Sequence, residues 1–99
     1  MAENEALNTA RGYAQLVRQN MDTEAIYLYG SYARGTASRD SDIDIAVVVS
    51  QVQTDYLAAV SKLWKLTRAV SDEIEPVLLI AGTDDSGFLR SLQETGIAV

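Results

Sequence analysis

The chain of 99 residues contains no cysteine and no histidine, and only one proline, one tryptophan and one phenylalanine. Without cysteine there are no disulfides and no thiolate metal sites. Without histidine there is no imidazole ligand and no side chain of the usual general-base kind. Zinc is therefore disfavoured, and any metal must be held by oxygen. No apolar run approaches the ~20 residues that span a bilayer. The polar, acidic start MAENEALNTA does not resemble a signal peptide, so a soluble cytoplasmic protein is expected. Positive charge is scarce as well: 8 Lys and Arg against 14 Asp and Glu leave a formal charge of −6. Such a chain is a poor general ligand for a nucleic-acid backbone and suits a basic protein partner. Its length predicts a single domain over residues 1–99 with one core.

What is present is a clear succession of hydrophobic patterns. Over residues 3–21, Leu7, Ala10, Ala14, Val17 and Met21 recur at steps of three and four, with Tyr13 beside them, which predicts an amphipathic helix. Ala25-Ile26-Tyr27-Leu28-Tyr29, ended by Gly30, is too short for a helix and predicts a buried strand. Residues 32–36 suit a turn or so of helix, 36–41 a polar loop, and 42–49 a second strand. On that strand Ile43, Ile45, Val47 and Val49 share one face, and Asp42, Asp44, Ala46 and Val48 share the other. Helical spacing returns over 54–70, with Tyr56, Val60, Leu63, Thr67 and Val70 along one side and Leu57 and Trp64 next to it.

Residues 73–80 predict a third strand containing the only proline, Pro76. Lacking a ladder donor, it requires an edge strand or a place near the strand's start. Residues 82–87 read as a loop in which Asp84-Asp85 signals a helix start. A short helix over 88–94 follows, with Gly96 as its C-cap. Tyr27, Tyr29 and Trp64 read as core rather than as platforms for bases. The order helix, strand, strand, helix, strand, helix indicates an α/β (α+β) fold with a small mixed sheet flanked by helices.

Into this pattern two carboxylates intrude. Asp42 and Asp44, two apart on a strand, point the same way with Cα atoms about 6.5–7 Å apart, and a divalent cation would relieve their repulsion. Magnesium takes one or two carboxylates, keeps several waters and completes its shell with substrate phosphates. Gly30-Ser31 ends the first strand and leads into a helical turn, so backbone N–H groups and the serine hydroxyl can face an anion. The stretch from Ser31 to Asp42 lets the chain return and bring both features into one cleft. A third acid is then wanted from the next strand; Glu75 is best placed, with Glu73 on the same face as the fallback. Arg34 and Arg39 either touch phosphate or pair with Asp40 and its neighbours, and Ser41 orders the loop before Asp42. Taken singly, Gly-Ser is also an ordinary turn and D-x-D a solvated strand end; the combination at this spacing is the specific signal.

Gly30-Ser31-x-Ala33-Arg34-Gly35, then Ser41-Asp42-x-Asp44 and an aliphatic strand, closely resembles the nucleotidyltransferase signature of the DNA polymerase β superfamily in its minimal form. These are the MNT-domain proteins, found as antitoxin partners of HEPN-domain toxins. The resemblance covers nearly the whole chain, including the closing Gly96-Ile97 segment. It implies a polymerase β-like fold and nucleotidyl transfer from ATP with Mg2+. By position, Gly30 and Ser31, with Arg34 in the same motif, match the residues that hold the triphosphate. Asp42 and Asp44 match the first two metal-binding carboxylates. The third, usually an aspartate, falls at Glu75, one methylene longer and followed at once by Pro76. That departure bears on catalysis rather than on metal binding by the aspartates. In the family's mechanism one metal stabilises the leaving pyrophosphate, while the third carboxylate helps a second lower the pKa of the attacking hydroxyl. With no histidine, Glu75 is also the obvious base.

The function this implies is an antitoxin that transfers AMP from Mg-ATP to a hydroxyl, a tyrosine, of a HEPN ribonuclease partner, without binding nucleic acid or a membrane itself. The alternative is a non-catalytic antitoxin that neutralises the toxin by direct binding, its nucleotide site vestigial or regulatory.

Overall fold

The computed structural model describes residues 3–38, 40–52, 54–83 and 86–99. Along these the order is α1 (Glu3–Asn20), β1 (Ala25–Tyr29), α2 (Ser31–Arg34), β2 (Ile43–Val49), α3 (Tyr56–Thr67), β3 (Ile74–Ile80), α4 (Phe88–Thr95) and β4 (Ile97–Ala98). The strands form one sheet in the order β3-β2-β1-β4. β1 runs antiparallel to β2 and β4, and β2 runs parallel to β3. The mixed α+β architecture expected from the sequence is the one formed.

One face of the sheet makes the core. Ile26, Leu28, Ile43, Ile45, Val47, Val49, Ile74 and Leu78 are buried there together with Ala6, Ala10, Tyr13, Ala14 and Val17 of α1 and Leu63 of α3. Small alanines along α1 let that helix lie close. The Tyr13 hydroxyl donates to the Leu63 carbonyl at 2.8 Å, which ties α1 to α3 and satisfies a polar atom whose burial would otherwise be costly. Burial pushes the Tyr13 phenol well above its usual pKa.

α3 is shorter than the predicted 54–70. Asp55 caps its start, its carboxylate accepting from the Ala58 N–H at 2.8 Å, as N-cap residues do. The helix packs on the expected stripe except at its first member, Tyr56. Leu63 and Thr67 are buried, and Ala59, Val60, Leu66 and Val70 lie partly against the core. Tyr56, Leu57 and Trp64 are 46, 76 and 46 % exposed, so Trp64 is not a core residue. Leu57 and Trp64 flank the packed stripe rather than belonging to it.

Pro76 sits mid-strand, on the edge strand β3. The Ile43 N–H donates to the Glu73 carbonyl and the Ala81 N–H to the Val49 carbonyl, both at 2.8 Å. Odd-numbered residues of β3 therefore turn their backbone groups toward β2, and even-numbered ones, Pro76 among them, turn theirs outward. The proline forfeits no ladder bond. On the same free edge the Tyr56 hydroxyl donates to the Leu78 carbonyl at 2.7 Å, and Thr83 donates from its hydroxyl to the Ile80 carbonyl at 2.9 Å.

β4 was not foreseen, being only a two-residue strand against β1. Gly96, before it, is an extended rather than left-handed C-cap, at φ −78 and ψ 163. Its need for glycine is clearance: a Cβ would stand 2.6 Å from the Leu92 carbonyl oxygen and 3.4 Å from Tyr27 Cβ. Asp84 and Asp85 lie outside the described residues. Among those described, no helix is long and apolar enough to cross a membrane.

Candidate active site

The turn between β1 and α2 is built on Gly30, at φ 75 and ψ −149, a region essentially closed to other residues. A Cβ at Gly30 would also collide with Oδ2 of Asp44. Glycine is thus required twice, for the backbone and for the approach of a carboxylate. α2 begins earlier than predicted, at Ser31, and is closed by Gly35 in the left-handed region. The Arg34 N–H donates to the Gly30 carbonyl at 3.1 Å. The leading amides of a helical turn have no intrahelical acceptor, so this turn offers N–H groups beside Asp44.

Register assembles the rest. Tyr29 is the Cα partner of Asp44, and Asp44 that of Glu75. By strand alternation all three face away from the core. Tyr29, read from sequence as core, is instead half-buried on this face. Its ring meets Phe88 edge-to-face, with centroids 5.2 Å apart and planes at 74°. Asp42 differs from expectation too: β2 starts at Ile43, leaving Asp42 exposed just before it. The chain bends there, with the Ser38 N–H donating to Ser41 Oγ at 2.9 Å and the Ser41 N–H to the Ser38 carbonyl at 3.2 Å. Ser41 does order the loop before Asp42. The bend still leaves Asp42 close enough for its charge to act on Glu75.

The acids oppose one another's ionisation. The Asp44 carboxyl is raised by burial and then by the charge of Asp42, while Arg34 pulls it down. Glu75 is raised by desolvation, then by the charges of Asp42 and Asp44. The Tyr29 phenol is raised by burial and then by Asp44 and Glu75. Glu73 stands apart. Its carboxylate Oε2 is buried without a hydrogen-bond partner among the described residues, and its charge acts on buried Tyr32 rather than on Asp44 or Glu75. The structure therefore brings Glu75, not Glu73, into the row. Arg34 is exposed at the rim, and Arg39 lies outside the described residues.

Asp42, Asp44 and Glu75 are the groups that would hold a cation. Among the described residues no three acidic or other ligating side chains form a ready cage for an ion. Two aspartates with a glycine-lined approach fit an ion that takes few protein ligands and leaves the remainder to water and phosphate, as magnesium does. Sequence reasoning did not place Tyr29 and Phe88 here. The signal for Tyr29 was its position directly before Gly-Ser, where the antiparallel return must set it opposite the D-x-D strand.

Residues 13–99 match the family described as Polymerase beta, Nucleotidyltransferase. Over 64 residues the chain is 39 % identical to the Protein adenylyltransferase MntA of Shewanella oneidensis, a match covering 64 % of this chain and 45 % of that protein. It thus spans less than half the length of that relative. Among solved structures, a Sulfolobus solfataricus protein assigned as a nucleotidyltransferase superimposes with a TM-score of 0.71 at 21 % identity, covering 97 % of this chain and 80 % of that one; this is a likeness of fold alone. A toxin–antitoxin complex with AMP-PNP gives 0.62 at 28 % identity, covering 99 % and 72 %. An MntA–HpeT toxin–antitoxin structure with two aspartates changed to glutamate gives 0.57 at 25 % identity, covering 99 % and 72 %. By the extent of the family match, and with its signature glycine seated against its signature aspartate, the chain belongs to the polymerase β nucleotidyltransferase family.

Proposed function

We propose that this chain is an antitoxin that transfers AMP from Mg-ATP to a tyrosine hydroxyl of a HEPN-type ribonuclease toxin. The observation that carries this reading is the seating of Asp44 against Gly30, in one row with Glu75 and within reach of Asp42. Support comes from the adenylyltransferase MntA and from the toxin–antitoxin complex with AMP-PNP.

In this reading Gly30 admits the triphosphate to the backbone, the Ser31 N–H and hydroxyl donate to it, and Arg34 holds its oxygens from the rim. Asp42 and Asp44, with Glu75, would hold Mg2+, which when bound neutralises phosphate charge and lowers the pKa of the attacking hydroxyl. Glu75, at the open β3 end of the row, accepts the tyrosine proton. The tyrosine oxygen bonds to the α-phosphorus as the bond to the β-phosphate oxygen breaks, and pyrophosphate leaves. The AMP adds bulk and negative charge to a protein that must bind RNA, which repels its substrate.

A second reading has a specific observation behind it. Glu75 stands where the family usually carries the shorter aspartate, and Asp42 has left the strand, so a binder that occludes the toxin needs no more than the surface seen. Incubation with α-labelled ATP, magnesium and the toxin that co-purifies with a tagged chain separates the two, with Asp44→Asn run in parallel. Label on the toxin with the wild type alone establishes the transferase. An intact complex without label leaves occlusion.

A further inference from the structure

The face that carries the acids is unevenly covered. Over β1 lies α4: Phe88 meets Tyr29, Leu92 is buried, and Gly96 packs against Tyr27. On β2, Ala46 and Val48 are buried too. On β3, at the margin of the sheet, Glu75 and Val77 are open, Val77 to 37 %. Val77 is the Cα partner of Ala46 and follows Glu75 on the same face, about 6.5–7 Å along the strand. A branched apolar side chain is thus left exposed beside the carboxylates.

The row also has a direction. Gly30 and Ser31 lie at its β1 end, where phosphates would be received, and Glu75 lies at its β3 end. In an in-line displacement the entering and leaving oxygens sit on opposite sides of phosphorus. With pyrophosphate toward Gly30 and Ser31, the entering hydroxyl comes from the β3 side, across Val77. That edge is a poor template for strand addition, because Pro76 offers no N–H and the outward carbonyls of Leu78 and Ile80 are taken by Tyr56 and Thr83. An arriving segment meets the side-chain face instead.

We infer that Val77 is a positioning residue, the platform on which the ring of a tyrosine acceptor rests while its hydroxyl reaches Glu75. The acceptor belongs to a segment with basic flanks, which the exposed carboxylates of Asp42 and Glu75 favour. This rests on the transfer reading above and adds the route of entry and the side chain that selects the acceptor. A valine face matches an aromatic ring and leaves the hydroxymethyl group of serine little to contact.

Because the chain has no cysteine, Val77→Cys provides a single thiol for maleimide labelling, and Ser61→Cys on exposed α3 provides the control. The probe is a peptide with one tyrosine between lysines, compared with its serine counterpart. The tyrosine peptide is expected to slow labelling at position 77 several-fold and leave position 61 unchanged, and the serine peptide to slow neither. With the wild type transferring AMP to the tyrosine peptide, Val77→Ala should raise KM about tenfold, the order for losing a small apolar contact, while kcat holds. Labelling at 77 that is equally fast with and without the tyrosine peptide would overturn the platform even if AMP is transferred. Protection at 77 without any transfer would keep the platform and remove the transferase.

Discussion

Along β2 the odd-numbered residues Ile43, Ile45, Val47 and Val49 are buried beneath α1 and α3, whereas the even-numbered Asp44 faces Tyr29 and Glu75 on the opposite side. The same holds for β3, where Ile74 and Leu78 are buried and Glu75 and Val77 are open. One face gains free energy from apolar area removed from water. The other gathers acids whose mutual repulsion costs stability. Because successive strand residues point to opposite faces, both roles run along the same short segments and can be perturbed separately.

The largest effect should come from breaking the buried face. Ile45→Ala removes a fully buried side chain and should cost about 2–5 kcal/mol, read as a lower urea midpoint, with nucleotide binding lost only in proportion to unfolding. Gly30→Ala attacks the joint between the faces. It forces a side chain into a glycine-only conformation and against the Asp44 carboxylate. It should cost about 1–3 kcal/mol and abolish Mg-ATP binding even where the chain remains folded. Tyr56→Phe should cost about 1 kcal/mol by freeing the Leu78 carbonyl, and light scattering should show more association through the reopened edge.

The smallest effect on stability, and the sharpest for the comparison, belongs to the acids. Asp44 and Glu75 are both raised above their ordinary values of 3.8 and 4.5, so the folded chain binds protons that the unfolded chain releases. Their contribution is fully present below those ordinary values and is lost as pH rises through the raised ones. Without magnesium, the wild type should therefore lose stability relative to Asp44→Asn as pH rises above the ordinary carboxylate range. Added magnesium should erase that difference. Denaturation curves of both proteins from that range upward check it.

Much of this was legible because alternation is a local property. The run from Ile43 to Val49 announces its two faces, and Gly30-Ser31 announces a turn beside them. The third acid was not settled by alternation, since Glu73 and Glu75 share a parity. Register with Asp44 separates them, and register depends on how α3 returns the chain. Asp42 left the strand because two serines bend the loop, a contact between side chain and backbone that hydrophobic spacing does not report. Trp64 was misassigned because it flanks the stripe of Val60, Leu63, Thr67 and Val70 that packs on the core, and spacing alone does not say how wide the buried stripe is. β4 is too short to have a pattern of its own, and exists because β1 offers it an edge.

The central claim is that Asp44, held against Gly30, seats a magnesium nucleotide. Calorimetric titration of Mg-ATP into the wild type and into Asp44→Asn tests it most directly. The account predicts a binding isotherm that requires magnesium for the wild type, and none for a variant that remains folded. Equal binding by the two proteins would contradict it.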